Sequence, residues 1–224
     1  MNKGKLIVLD GLDGSGKATQ TDLLTKKLIQ KGLQVKHISF PDYNNPSSSL
    51  VKMYLNGSFG GNPNDVNAYA ASSFYAVDRY ASYKQFWQQD YANGTIIIAD
   101  RYSTSNAIYQ LSKVDTYEKS KFLQWLEYYE YGLLQLPKPD AVIFLDMPIE
   151  ISQKLLTERY KGDNSKKDLH ESNFEFLQQC RQSALFSAKE QSWSIISCAE
   201  NGQPRSIEDI HHDVISLAEK IVCI

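Results

Sequence analysis

Short apolar, β-branched runs recur along this chain, each followed by a longer stretch whose apolar positions return every three or four residues. KLIVLD (5–10), VKHISF (35–40), TIIIAD (95–100), AVIFLD (141–146) and SWSIIS (192–197) predict five strands. Most are apolar throughout, the mark of strands buried on both faces of a sheet. After the first, the range 19–31 puts Leu23, Leu24, Leu28 and Ile29 on one side of a helix and meets Gly32 at its end. The range 64–91, rich in alanine and aromatics, predicts a long helix buried over much of its surface. Ser206 is placed to cap a last helix, with Glu208 and Asp209 in its first turn. Its apolar stripe runs through Ile207, Ile210, Val214, Leu217 and Ile221. Strands alternating with helices predict an α/β fold in three layers, a five-stranded parallel sheet with helices on both faces. Such sheets collect ligands at the carboxyl ends of their strands. Here those ends carry Asp10, Phe40-Pro41-Asp42 and Asp100-Arg101.

The chain of 224 residues has no repeat, low-complexity tract or long linker, so a single domain over 1–224 is expected, with a mobile subregion. A net charge of −2 gives no reason to expect nucleic acid as a partner, and any phosphate recognition must be local. No apolar run approaches the ~20 residues that cross a bilayer, and the opening MNKGKLIVLDG is too short an apolar run for a signal peptide. Cys180, Cys198 and Cys223 are far apart and odd in number, which suits a reducing cytoplasm and offers no zinc pair.

Candidate chemistry starts in KLIVLDGLDGSGKATQTDLL, where Gly11, Gly16 and Lys17 satisfy the phosphate-loop pattern G-x-x-x-x-G-K. The motif follows a buried strand and opens an amphipathic helix. In that setting the backbone of Gly11, Leu12, Asp13, Gly14, Ser15, Gly16, Lys17, Ala18 and Thr19 can surround the phosphates of a nucleotide, with Lys17 as a point charge on them. Ala18 stands where a hydroxyl would hold Mg2+, and Thr19 is turned about 100° away along the helix. The ion is therefore expected on nucleotide phosphates, water and Asp100.

Four further stretches complete a pattern: SFYAVDRY (73–80), DRYSTSNAIYQ (100–110), LPKPDAVIFLD (136–146) and ERYKGDNSKKDLHE (158–171). In this order and spacing, together with GLDGSGK, the chain resembles the thymidylate kinase family from Lys5 to about Leu177. The resemblance implies a P-loop kinase that converts ATP and dTMP to ADP and dTDP. It implies that Asp13 lies near the acceptor's sugar 3′-hydroxyl, that Tyr75 stacks on thymine and that Arg79 reads the base edge. Arg101 would grip the acceptor phosphate, and Phe40 and Ser105 are further candidates for substrate binding. Asn106 and Tyr109 would flank base and sugar, and a homodimer formed through helices is implied too. From spacing alone, Tyr75 fits a core aromatic equally well, Asp78 and Arg79 fit a surface ion pair, and Arg101 fits a loop brace. Ser105, Asn106 and Tyr109 fit residues that cap and fill a helix.

A monophosphate is largely ionised at neutral pH, its second pKa being about 6, so its attack needs no base. Catalysis then reduces to alignment and charge neutralisation. Members of the family keep one catalytic arginine in the loop or in a lid. Gly14 occupies the loop place, so the lid, about 158–171, is expected to supply it: Arg159 first, then Lys161, Lys166 and Lys167, which lack a fork of donors. Gly162 suits a segment that closes. The plain reading of that segment is a solvated, charged loop. After FPD the chain has Tyr43 where the family usually has an arginine. Two other functions are open: a deoxynucleoside kinase using Asp42 as base, and a nucleotide-binding regulatory protein without catalysis.

Overall fold

The computed structural model describes residues 3–161, 163, 170 and 173–223. Five parallel strands, β1 (Leu6–Asp10), β2 (Val35–Ser39), β3 (Ile96–Asp100), β4 (Ala141–Asp146) and β5 (Ser194–Ser197), lie in the order β2-β3-β1-β4-β5. Each falls inside its predicted run. β1 sits between β3 and β4, so the ends of β1 and β3 open side by side at the point where the strand order reverses. Register pairs Leu9 with Asp100, and Arg101 N–H donates to the Leu9 carbonyl at 3.0 Å.

Alternation along β1 divides the core. Ile7 and Leu9 pack with Leu24, Leu28, Ile210 and Val214, under helices α1 (Lys17–Gln30) and α8 (Ile207–Val222). Leu6 and Val8 face the other way, onto Ile97, Trp87 and Tyr102. On that second face Phe144 of β4 joins a cluster with Phe122, Leu126, Phe176 and Leu177. These come from α5 (Lys119–Glu127) and α7 (Phe174–Glu190).

Four expectations are corrected. The five runs predict buried strands, yet β2 and β5 form the edges of the sheet, have a neighbour on one side only and keep exposed residues. Ile29 is 51% exposed, because it lies one residue, about 100°, beyond the buried Leu28 and past the edge of the stripe. Ile207, the first residue of α8, is equally exposed, while the Ser206 hydroxyl accepts from Asp209 N–H at 3.0 Å as a cap should. The 64–91 helix is not continuous. Pro63–Asp65 forms a separate turn, and α3 (Ala68–Ser82) starts where the Asn67 side chain accepts from Ala70 N–H. A π-helical stretch, Tyr83–Trp87, then leads into α4 (Gln88–Ala92). Two more π-helical turns, Asn106–Gln110 and Tyr128–Leu133, follow β3 and α5. Such turns are rare and cluster at functional sites. Helices α2 (Ser49–Leu55) and α6 (Ile149–Arg159) complete the set around the cleft, and a hairpin, β6 (Ala199–Glu200) with β7 (Gln203–Pro204), was not predicted. Among the described residues no helix is long and apolar enough to cross a membrane.

Leu9 is fully buried beneath α1, one residue before the end of the central strand. We expect Leu9→Ala to cost about 3 kcal/mol. Urea unfolding should show a lower midpoint at unchanged slope, whereas an unaltered midpoint would place Leu9 outside the core.

Candidate active site

Beyond β1 the chain turns on glycines. A Cβ at Gly14, whose φ is +81°, would come within 2.5 Å of the Ser152 carbonyl of α6, so only glycine lets the loop lie against that helix. Gly16, with φ +86°, then delivers the chain into α1, which begins at Lys17, two residues earlier than the sequence suggested. Leu12 is buried in the core, and Ser15 is buried with its hydroxyl unpartnered. Lys17 is only 7% exposed; its ammonium donates to the Leu12 carbonyl at 2.9 Å and lies 3.6 Å from Asp13.

The loop opens onto a cleft of about 680 Å³ at the carboxyl edge of the sheet. Asp13, Gly14, Gly16, Lys17, Ala18 and Thr19 line one part of it. Phe40, Tyr75, Arg79, Asp100, Arg101, Ser105, Asn106 and Tyr109 line the rest, with Arg159 at the end of α6 and His170 beyond it. Gly11, Leu12 and Ser15 instead shape the loop from within. Lys161 is described but is not among the lining residues. Gly162, Lys166 and Lys167 lie outside the described residues.

Arg101 stands at the centre with φ +68°, a left-handed conformation that few non-glycine residues adopt. That backbone turn aims the guanidinium back across β1. It donates to the Asp13 carboxylate, approaches Asp10 at 4.0 Å and lies 5.3 Å over the Tyr109 ring. Tyr109 in turn donates to Asp13 at 2.9 Å. Asp13 is partly buried, and desolvation alone would raise its pKa. Arg101 and Lys17 outweigh this and hold the carboxyl well below the usual range. Burial, with the nearby Arg101 charge, lowers the Lys17 pKa.

Asp10 serves the fold of the site. Its carboxylate accepts from Gly11 N–H, Thr104 and Ser105, so each of its oxygens is engaged. Asp100 differs: Oδ1 is buried without a hydrogen-bond partner at the cleft wall. A buried carboxylate oxygen without a partner fits a water-mediated hold on a magnesium ion. Among the described residues no group of three His, Cys, Asp or Glu could hold a metal, so phosphates and water would complete its shell. Asp42 is not among the lining residues, and its N–H is tied to Asp78 at 2.9 Å.

The base-edge candidates have partners that the sequence did not reveal. Arg79 is not in a surface pair with Asp78. It is buried and forked onto Glu130, with Nε–H donating to Oε2 at 2.7 Å and Nη2–H to Oε1. Asp78 instead accepts from Asp42 N–H and from Ser47 Oγ–H at 2.5 Å, fixing the turn after β2. Only the interruption of a helical pattern by Gly132 hinted at the π-helical turn that buries Glu130.

His170 was also missed, since it lay within a charge-rich stretch. Its ring stacks on Tyr109 at 5.5 Å and 15°, and Nε2 lies 2.9 Å from the Tyr54 hydroxyl, which also accepts from Lys113 at 2.6 Å. Lysine can only donate, so the Tyr54 hydroxyl accepts there, and its own proton faces His170 Nε2 and, at 3.4 Å, the Pro63 carbonyl. Burial and the Lys113 charge lower the His170 pKa to about 3. The unfolded value is near 6.5, so this stabilisation is complete above pH 6.5 and is lost as pH falls toward 3. NMR titration of the His170 ring should show it neutral at pH 5; a midpoint near 6.5 would mean that the ring sits in solvent.

Comparison with known proteins now adds to this geometry. The thymidylate kinase family model matches residues 9–214. The thymidylate kinase of Danio rerio is 26% identical over 98% of this chain and 92% of its own length. That of Prochlorococcus marinus is 30% identical over 90% and 91%. The solved thymidylate kinase of Candida albicans superposes with a TM-score of 0.70 at 26% identity, covering 97% of this chain and 92% of its own. The chain belongs to the thymidylate kinase family, an α/β P-loop group of nucleoside monophosphate kinases.

Proposed function

We propose that this chain, as one kinase unit with a lid at about 158–171, transfers the γ-phosphoryl group of ATP to dTMP, giving ADP and dTDP for dTTP synthesis. The observation that carries this reading is the convergence of Lys17, Arg101 and Arg159 on one cleft that also holds Tyr75, Arg79 and Asn106.

In this reading the loop N–H groups and Lys17 bind the ATP phosphates, and Arg101 binds the acceptor phosphate, which is already ionised and attacks without a base. Arg159 neutralises charge on the transferring group. Tyr75 stacks on the base, and Asp13 and Tyr109 bracket the sugar, where the Tyr109 ring leaves little room for a 2′-hydroxyl. Magnesium supplies charge compensation on the phosphates when bound, and Asp100 is the residue suited to orient its water. Ala18 leaves the ion one protein ligand short. With Tyr43 in place of an arginine, Arg101 takes more of the acceptor phosphate.

A homodimer is supported by the exposed Tyr69, Val77 and Tyr80 along α3, each 38–42% accessible. Free cysteines favour the reducing cytoplasm as its compartment. The deoxynucleoside-kinase alternative lacks its base, because Asp42 is not among the cleft residues.

A coupled assay with ATP and magnesium should show ADP formed with dTMP and none with thymidine. Lys17→Ala should lower turnover at least about 10³-fold while the far-UV spectrum is kept. Turnover of thymidine instead, or nucleotide binding without turnover of any monophosphate, would overturn the proposal. Sedimentation should show a dimer that Tyr80→Glu dissociates; a wild-type monomer would remove the dimer.

A further inference from the structure

Glu130 is fully buried, touches no part of the cleft and joins two residues that do. We infer that Glu130 is a positioning residue that sets which hydrogen-bonding groups Arg79 and Asn106 present to the acceptor's base. The inference rests on the reading of the cleft as a nucleotide-acceptor site.

The chemistry follows from counting donors. A carboxylate only accepts. Glu130 Oε1 accepts from Arg79 Nη2 and, at 3.2 Å, from Asn106 Nδ2. The other Asn106 amide hydrogen goes to the Ser72 carbonyl, also at 3.2 Å and also an acceptor. Both neighbours therefore demand the NH2 side of the amide, and Asn106 has only Oδ1 left to show the cleft. Arg79 places Nε–H and one Nη2–H on Glu130 and contacts the Tyr102 carbonyl from Nη1 at 3.4 Å. Of its five N–H donors, one on Nη1 and one on Nη2 remain. The wall thus offers N–H donors beside a carbonyl acceptor.

A base with a carbonyl next to a ring N–H, as in thymine or uracil, complements that order. Cytosine, with an amino group next to a bare ring nitrogen, opposes it at both places. Sites built to hydrogen-bond one pattern reject the other through the groups left unpaired. Glu130→Gln should disturb this. A glutamine has one acceptor oxygen for these three donors. With its NH2 at the Oε1 place it faces both Arg79 Nη2 and Asn106 Nδ2 and favours an inverted Asn106 amide with NH2 toward the cleft. With its NH2 at the Oε2 place it opposes Arg79 Nε–H and loosens the fork that aims the guanidinium.

The test is kcat/KM for dTMP and dCMP in the wild type and in Glu130→Gln, with KM for ATP measured alongside. We expect the dTMP-to-dCMP preference to fall roughly tenfold or more, the scale of one misplaced hydrogen bond, with KM for ATP unchanged. Equal losses for both acceptors would mean that Glu130 only supports the fold, and would overturn the inference. Should Glu130→Gln fail to fold, Glu130→Asp keeps the charge with a shorter reach. Its preference should fall in the same direction but by less, and an unchanged ratio in that variant also overturns the inference. A wild type that ignores dTMP altogether refutes the earlier functional reading, whereas a wild type that accepts dTMP with an unchanged ratio in the variants refutes this one alone.

Discussion

The active cleft depends on Arg101 being held where a strand ends. Its guanidinium is partly buried, which opposes its charge, and the carboxylates of Asp13 and Asp10 together with Tyr109 overcome that opposition and raise its pKa well above the ordinary value. Its left-handed backbone is the conformation that turns the side chain toward β1 rather than onward with the chain. The neighbouring parallel strands make this possible, because Leu9 pairs with Asp100 and so brings the phosphate loop and Arg101 within reach. A shift in that register would separate Asp13 from its cation and leave a partly buried carboxylate unpaired, a costly arrangement.

A second ion pair, Arg79 with Glu130, is buried at the acceptor end, and the two pairs differ in what they leave unused. Glu130 takes a fork of two donors and has no contact with the cleft, so that pair is closed on its protein side and fixed in direction. Arg101 is shared among several partners at the cleft wall, and a substrate phosphate can join or replace them. Rigidity suits the reading of a base, where the order of donors and acceptors decides selectivity. Exchangeable partners suit the holding of a phosphate, whose charge changes during the reaction.

Much of this was legible in the chain. Strand positions followed from β-branched runs that must be covered on both faces, and the loop from glycines whose spacing has a single use beside a helix. The residues lining the cleft came from short motifs, which record local geometry. What stayed hidden depended on distant pairing. Glu130 lies 51 positions from Arg79, and nothing in WLEYYEYG says which glutamate is buried. Tyr54, Lys113 and His170 meet from three separate segments, so their hydrogen-bonded contact has no linear signature. Ile29 and Ile207 were misplaced for the opposite reason: apolar character was read as burial, although helix geometry turns both away from the sheet.

Charge around the cleft links these parts. Lys17, Arg79, Arg101 and Arg159 at the cleft are balanced by Asp13 and Asp100 beside them and by Asp10 and Glu130 behind the lining, so the described wall together with its backing is close to neutral. A neutral wall cannot by itself gather two nucleotides whose phosphates carry several negative charges, since like charges repel strongly in a site of low dielectric. In the proposed reaction compensation must therefore arrive with the nucleotide, as a cation. In the proposed function Ala18 sharpens this dependence: it offers no oxygen to a magnesium ion, which would leave Asp100 and solvent to orient it. In that reading the loop fixes phosphate position through backbone N–H groups, and the charge balance is left to groups that come and go with substrate.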